Sequence, residues 1–89
     1  METAAKKELI LDLNRLHTTT LGIQRIKKNL CLGSDDVVSW CAQQIKKPAS
    51  RVIRTGKNWY VTTGDCEITV NAHSFTIITA HKIKTKLKS

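Results

Sequence analysis

The sequence predicts an α+β domain in which two to three N-terminal helices pack on one face of a four-stranded antiparallel meander. Before Pro48, apolar residues recur at spacings of three and four, the period of an amphipathic helix. From Arg51 to Lys82, apolar and polar residues alternate through four short runs separated by turn residues, as in antiparallel strands. A chain of 89 residues suffices for one domain. Its expected parts are a helical part (1–48), a sheet (49–83) and a basic tail (84–89).

The first two helices are predicted from their leucines and isoleucines. The buried positions expected in the first helix are Leu9, Leu13 and Leu16. This helix should end near His17, and the hydroxyls of residues 18–20 can cap the next one. The buried stripe expected in the second helix is Ile23, Ile26 and Leu30. Gly33 is expected to close that helix or the turn that follows it.

The third helix is predicted from its ends. Ser34 is a suitable cap, with Asp35 and Asp36 in the first turn and lysines in the last, as the helix dipole favours. Its apolar side should contain Val37, Trp40, Cys41 and Ile45. Pro48 disfavours helical geometry at the preceding residue and therefore marks the passage into the sheet.

Alternation sorts the strand residues onto two faces, because successive side chains of a strand point to opposite sides. The face predicted to lie beneath the helices contains Trp59, Val61, Ile68, Val70, Phe75 and Ile77. The face predicted to be open to water or a ligand contains Asn58, Tyr60, Thr62, Glu67, Thr69, Asn71, Thr76 and Ile78. The facing of the first strand is not predicted, because a slip of one residue exchanges Ile53 and Arg54 between the faces.

The expected register rests on turns at Gly64 and at Ala72-His73. It predicts these cross-strand pairs: Val61–Cys66, Val70–Phe75, Ile68–Ile77 and Cys66–Thr79.

The charge favours a polyanionic partner. Fifteen Lys and Arg against seven acidic residues give a net charge of +8. RNA, or an acidic protein such as an antitoxin, would complement that charge, whereas the plain alternative is that it serves solubility.

Other classes of site and location are disfavoured by composition. Cys31, Cys41 and Cys66 lack the close spacing of a metal or redox motif, so we expect core thiols, no metal and no cofactor. The N-terminus has no apolar signal region, and no stretch approaches the roughly 20 apolar residues that span a bilayer. We therefore expect a cytoplasmic protein that does not associate with membranes.

Three residues are candidate general acids or bases: His17, Glu67 and His81. Each also has an ordinary interpretation. His17 could bond the end of the first helix, and Glu67 could form a surface ion pair with a lysine. His81 shares the parity of Thr79, at the end of the last strand where the core should thin out. His73, at a hairpin tip, is expected to be solvated.

The candidate nucleic-acid-binding residues are Lys57, Asn58, Tyr60, Asn71, Lys82, Lys84 and Lys86. Lys57 and Asn58 could hold a phosphate, and Tyr60 could stack on a base. Lysines at every second position from Lys82 would form one row, about 7 Å apart, on the open side if the strand continues. Alternatively, the tail is solvated and keeps the sheet edge from pairing with other chains.

Several segments resemble a bacterial family known as domain of unknown function 3781. The matching segments are residues 16–19, 21–30, 56–61, 68–71 and 76–82, which read LHTT, LGIQRIKKNL, GKNWYV, ITVN and TIITAHK. This resemblance implies that the chain has relatives in that family, but it does not imply an activity.

The element order is also similar to that of small ribonuclease toxins of the RelE and colicin D groups. That resemblance implies metal-independent cleavage, in which the 2′-hydroxyl attacks the adjacent phosphate. The implied roles are Glu67 or His17 as base, Lys57 or Lys82 as stabiliser and His81 as acid.

Two non-enzymatic alternatives remain. A basic module could bind RNA or an acidic protein through the open face without cutting anything. Helices two and three could form a helix-turn-helix, although Asp35 and Asp36 would then meet the DNA phosphates.

Overall fold

The computed structural model describes residues 4–33, 36–64 and 66–83. The helices are α1 (Ala4–Leu11), α2 (Thr20–Leu30) and α3 (Val37–Lys46), with a short 3-10 helix at Leu13–Arg15. The strands are β1 (Arg51–Thr55), β2 (Asn58–Thr63), β3 (Cys66–Asn71) and β4 (Ile77–Lys82). The strands form one antiparallel sheet in the order β1-β2-β3-β4. The predicted α+β fold is confirmed.

The first helix is shorter than predicted. It ends at Leu11, and the next residue, Asp12, has φ −116° and ψ 34°, which breaks the helix before the 3-10 turn. Leu9, Leu13 and Leu16 are nevertheless buried, because a 3-10 turn preserves a spacing near three residues.

His17 lies beyond these helices and bridges to Thr76 in a parallel arrangement. Its N–H donates to the Phe75 carbonyl (3.1 Å), and its own carbonyl accepts from Ile77 (2.7 Å). The segment after the first helix therefore extends the sheet beside the start of β4.

The start of α2 is fixed against β4. The Thr19 hydroxyl accepts from the Gly22 N–H at 3.0 Å, which confirms that a threonine caps this helix. The Thr18 hydroxyl donates to the Ile77 carbonyl at 2.8 Å, and a Cβ on Gly22 would collide with that hydroxyl. A glycine is required at this close approach.

Two helix ends differ from the prediction. α2 ends at Leu30 with Cys31 in the left-handed conformation (φ 55°), so Cys31 and not Gly33 closes it. The cap of α3 is Asp36, whose carboxylate accepts from the Ser39 N–H at 3.3 Å. The predicted cap Ser34 and its neighbour Asp35 lie outside the described residues.

One buried charge was not predicted. The Lys6 side chain is 2% exposed, and its ammonium donates to the carbonyls of Lys47 (2.8 Å) and Ser50 (2.9 Å). It thereby satisfies carbonyls just beyond the C-terminus of α3, where a cation is favoured by the helix dipole. This contact ties α1 to the chain that enters β1.

The predicted buried face is confirmed, although the register behind it is different. Val61 pairs with Ile68 and not with Cys66, a shift of two residues. A shift of two keeps every side chain on its face, whereas a shift of one would exchange the faces. The six residues predicted to face the helices are all at most 4% exposed.

The first strand, whose facing was not predicted, is now placed. Val52 pairs with Val61 and is buried, whereas Ile53 pairs with Tyr60 and is 60% exposed on the open side. Arg54 lies on the side of the helices, with its guanidinium 5.8 Å from the centre of the Trp59 ring. Gly56 begins the two-residue turn with φ 60°, as in a type II′ hairpin.

A β-bulge in β4 overturns the predicted facing of its second half. Thr69 pairs with Thr79 and Val70 with Ile77, which leaves Ile78 as the extra residue. Ala80, which strict alternation would place with Ile78 on the open side, is completely buried. His81 lies on the open face, contrary to the parity argument.

The same bulge changes the expected row of lysines. Lys82 pairs with the buried Cys66 and shares the parity of Ala80, so it does not lie on the open face. The predicted pairing of Cys66 with Thr79 is also wrong. Lys84 and Lys86 lie outside the described residues.

The cysteine assignment is partly correct. Cys41 and Cys66 are buried, whereas Cys31 is exposed at the end of α2. Burial, together with the nearby Cys66 thiol, raises the pKa of Cys41 to about 12, so its thiol stays protonated at neutral pH. Separately, none of the helices described is long and apolar enough to cross a membrane.

Candidate functional site

The open face consists of the outward side chains of the four strands. Its members are Arg51, Ile53, Thr55, Asn58, Tyr60, Thr62, Glu67, Thr69, Asn71, Thr79 and His81. These side chains form rows across the sheet, because each lies opposite another member of the set on a neighbouring strand. Thr69 is only 8% exposed. Apart from Ile53, polar and charged side chains line this broad surface, with functional candidates at both of its ends.

The end of the open face near the β2–β3 turn holds an acid–base pair, Glu67 and His81. They are cross-strand partners, and His81 Nε2 lies 3.5 Å from Glu67 Oε1. The Glu67 side chain is 34% exposed, and the His81 side chain is 44% exposed. The structure therefore brings two of the three predicted catalytic residues together within reach of solvent.

Hydrogen bonding defines the orientation of the His81 ring. Nδ1 lies 3.1 Å from the Lys82 carbonyl, which can only accept, so Nδ1 carries a proton. The contact of Nε2 with the Glu67 carboxylate is attractive when Nε2 is protonated as well. In that state His81 is an imidazolium with a proton available at Nε2, beside a carboxylate that can accept one.

Two neighbours in the same row were not predicted as site residues. Arg51 pairs with Thr62, and Thr62 pairs with Glu67, so one row runs from Arg51 to His81. Two strand spacings place the Arg51 backbone roughly 10 Å from that of Glu67. The sequence feature that could have placed Arg51 in this row is the Gly56-Lys57 pair. A two-residue hairpin turn there fixes the register of β1 against β2.

The opposite end of the open face holds a chain of hydrogen bonds, the hydroxyl chain, which consists of His17, Thr76, Ser74 and Asn71. Nε2 of His17 lies 3.0 Å from the Thr76 hydroxyl, which lies 2.7 Å from the Ser74 hydroxyl. Ser74 donates in turn to Asn71 Oδ1 at 3.2 Å, and the same oxygen accepts from the N–H groups of His73 and Ser74.

Both ring nitrogens of His17 are engaged in this arrangement. Nδ1 lies 2.9 Å from the Arg15 carbonyl and must donate to it. Nε2 contacts the Thr76 hydroxyl, which can either donate to this nitrogen or accept from it. The ring thus connects the 3-10 helix to the β3–β4 hairpin. This is similar to the structural role predicted for His17, a bond to the end of the first helix.

The two ends are too far apart to share one reacting group. Glu67 and Asn71 are four residues apart on β3, which is roughly 13 Å. His17 therefore does not join Glu67 and His81 in a single catalytic set.

Most of the predicted binding residues lie at the end that holds the hydroxyl chain. Asn58 pairs with Asn71, and its side-chain amide donates to the Tyr60 hydroxyl at 3.3 Å. The Lys57 carbonyl accepts from the Ala72 N–H at 2.8 Å, which joins the β1–β2 turn to the β3–β4 loop. Lys57, Asn58, Tyr60 and Asn71 thus belong to one continuous surface.

The described residues include no group of three or more His, Cys, Asp or Glu side chains arranged to hold a metal ion. Glu67 and His81 are two side chains of this kind, and the other two members of their row are Thr62 and Arg51. The chemistry that this geometry itself offers is proton transfer between a carboxylate and an imidazole.

Comparison with known proteins identifies relatives without an assigned activity. No curated protein and no solved structure matches the chain. The resemblance to the RelE and colicin D toxins therefore stays a prediction. A family model described as "Protein of unknown function (DUF3781)" matches residues 10–81, which includes both ends of the open face. The chain belongs to the DUF3781 family.

Proposed function

We propose that this protein binds RNA on its open face and cleaves it at the acid–base pair without a metal ion. The observation that carries the proposal is the 3.5 Å contact between His81 Nε2 and Glu67 Oε1 on a solvent-accessible sheet surface. Cleavage of RNA by its own 2′-hydroxyl needs one group to accept a proton and another to donate one. An imidazolium beside a carboxylate supplies both.

The proposed step begins when a phosphodiester enters between the two side chains. The Glu67 carboxylate accepts the proton of the 2′-hydroxyl as its oxygen forms a bond to phosphorus. The bond from phosphorus to the 5′ oxygen breaks, and His81 Nε2 donates its proton to that leaving oxygen. The products are a 2′,3′-cyclic phosphate and a 5′-hydroxyl, and the protein has lost one proton and gained one.

Cations on the open face would support the substrate. Arg51 lies in the row of the acid–base pair and is exposed, so its guanidinium can stabilise charge on the phosphorus oxygens. Lys82 adjoins His81 in sequence but shares the parity of the helix-covered side. Lys57, Asn58, Tyr60 and Asn71 would hold a neighbouring part of the strand, with Tyr60 offering a ring for stacking.

A second candidate function is binding without cleavage. Two exposed aliphatic side chains favour it: Ile53 is 60% exposed on the open face, and Ile78 is 40% exposed at the bulge. A protein partner with an acidic surface would cover these side chains and match the net charge of +8.

The test is incubation of purified protein with total bacterial RNA and with tRNA in EDTA, followed by mapping of fragment ends. Discrete fragments that end in cyclic phosphate, and that disappear with Glu67→Gln and His81→Ala, would support cleavage. His73→Ala is the matched control, because His73 is an exposed histidine outside the pair. Intact RNA at high protein concentration would reject catalysis, and salt-dependent retention of that RNA would favour the binding module.

A further inference from the structure

A second surface of the molecule lies on the outer side of α2. The buried positions of this helix are Gly22, Ile26 and Leu30, which face β4 and the core. The opposite side presents Leu21, Gln24, Arg25 and Lys28, at helical spacings of three, one and three. These side chains line a shallow groove with Asn29, and an adjoining groove continues past Lys28 to Leu32. This outer side, the α2 groove, is remote from the open face because the sheet and core lie between them.

The α2 groove carries positive charge only. Helix α2 contains Arg25, Lys27 and Lys28 and no acidic residue. Within the part of the chain that the structure describes, neither Arg25 nor Lys28 forms an ion pair with a carboxylate. Exposed helices usually place acidic residues among their cations, since oppositely charged pairs stabilise them. A uniformly cationic strip is therefore suited to an anionic partner.

The groove is also apolar at both ends. Leu21 is 70% exposed, one of the most exposed large hydrophobic side chains that the structure describes. Leu32, at the other end, is only partly covered by the core. Burying an exposed leucine against an apolar partner surface is favourable, whereas contact with a phosphate backbone leaves the leucine in water. The exposed leucine thus distinguishes a protein partner from a nucleic acid.

We propose that the α2 groove docks an acidic segment of a partner protein. Carboxylates of that segment pair with Arg25 and Lys28, and its apolar side chains cover Leu21 and Leu32. Nine positions of helical rise, roughly 14 Å, separate Leu21 from the end of α2 at Leu30, and Leu32 lies two residues beyond that end. This length suits a partner helix of about three turns. The groove and the open face lie on different sides of the molecule, so this inference does not depend on RNA cleavage.

The test uses a displayed library of random peptides about 14 residues long, a length that spans the groove as a helix. The library is panned against the full chain, and the most enriched peptide is synthesised and its Kd measured. We expect acidic peptides with recurring leucine, isoleucine or methionine. Arg25→Glu combined with Lys28→Glu should weaken binding by about tenfold or more, and Leu21→Ser should weaken it by about threefold to tenfold.

The matched control combines Lys7→Glu with Lys46→Glu, two exposed lysines on other helices. Either double variant lowers the net charge from +8 by four, to +4. We expect the control to keep peptide affinity within about threefold, because it removes net charge without touching the groove. Circular dichroism and thermal melting establish that each variant is folded, and Leu21→Ser should fold normally because Leu21 is largely exposed.

Three results would overturn the proposal. Enriched peptides without acidic residues would contradict the charge argument. Equal losses of affinity in the two double variants would indicate attraction by net charge alone. A short single-stranded RNA whose binding is lost in the groove variant, with no peptide selected, would assign the groove to nucleic acid.

Discussion

The two ends of the open face both contain a histidine, yet the two histidines are held very differently. At one end, His81 Nε2 lies 3.5 Å from the Glu67 carboxylate, and Nδ1 contacts the backbone carbonyl of the next residue. At the other, the His17 ring is bonded through both nitrogens, to a backbone carbonyl and to the hydroxyl chain, and its backbone is paired with β4. An imidazole beside a carboxylate places a proton donor next to a proton acceptor, so this end can do chemistry. A ring whose Nε2 is bonded to the hydroxyl chain instead holds two segments together.

The contrast shows that residue type alone does not separate a candidate catalytic histidine from a structural one. His17 and His81 were equal candidates in the sequence, and only their surroundings separate them. Three substitutions and one deletion test the different roles assigned to the two ends of the open face.

The largest effect is expected at the acid–base pair. Glu67→Gln keeps the shape of the side chain and removes its ability to accept a proton, so the rate of RNA cleavage should fall by about 10²–10⁴-fold. Its free energy of unfolding should change by less than about 0.5 kcal/mol, because the pair is exposed. Single-turnover cleavage and urea denaturation measure the two quantities. Unchanged cleavage would remove Glu67 from the mechanism.

The opposite pattern is expected for His17→Ala. Loss of the ring removes its hydrogen bonds to the Thr76 hydroxyl and the Arg15 carbonyl, so the free energy of unfolding should fall by about 0.5–1.5 kcal/mol. Cleavage per folded molecule should stay within about threefold, because this ring lies at the Asn71 end of the open face, and Asn71 is roughly 13 Å from Glu67 along β3. The matched histidine variant, His73→Ala, should change stability by less than about 0.5 kcal/mol. A stable His17→Ala protein without cleavage activity would reverse the roles assigned to the two ends.

A smaller effect is expected at the binding end. Lys57→Ala should weaken binding of single-stranded RNA by several-fold and reduce the salt dependence of binding by about one phosphate contact. Lys46→Ala, an exposed lysine on α3, is the control. Titration at several salt concentrations measures both variants, and equal salt slopes for the two would remove Lys57 from the RNA surface.

The smallest effect is expected from deletion of Ile78. Because Ile78 is the extra residue of the bulge, its removal leaves Ile77 opposite Val70, Thr79 opposite Thr69 and His81 opposite Glu67. Cleavage should therefore stay within about tenfold of the native protein, a loss of at most about 1.4 kcal/mol in transition-state stabilisation. In the regular register expected from alternation, the same deletion would change the facing of every later residue. A folded deletion variant without activity would favour that register.

Alternation predicted the covered face but not the second half of β4. Pairing of β2 with β3 was misplaced by two residues, and the faces stayed correct because only parity matters. In β4, two isoleucines stand side by side, followed by Thr79 and Ala80, so the pattern does not indicate which isoleucine points inward. In the structure, Ile77 pairs with Val70 and points inward, whereas Ile78 is the extra residue of the bulge. Because of that extra residue, His81 lies on the open face.

Two further features depend on tertiary contacts that a local pattern does not contain. Leucines spaced by four and three fit both one long helix and the observed helix followed by a 3-10 turn, so the end of α1 was predicted too late. Lysine is among the residues least often buried, and Lys6 is buried only because carbonyls more than 40 residues away surround its ammonium. The hydroxyl chain likewise joins residues from distant segments.

The measurement that tests the central claim most directly compares two oligonucleotides in EDTA. One is a ribonucleotide strand that contains a cleavage site mapped in cellular RNA, and the other differs by a single 2′-deoxynucleotide on the 5′ side of the cleaved bond. The account predicts that the native protein cleaves the first to a 2′,3′-cyclic phosphate and leaves the second intact, and that Glu67→Gln leaves both intact. Equal cleavage of both strands, or cleavage of neither, would contradict attack by the 2′-hydroxyl at the acid–base pair.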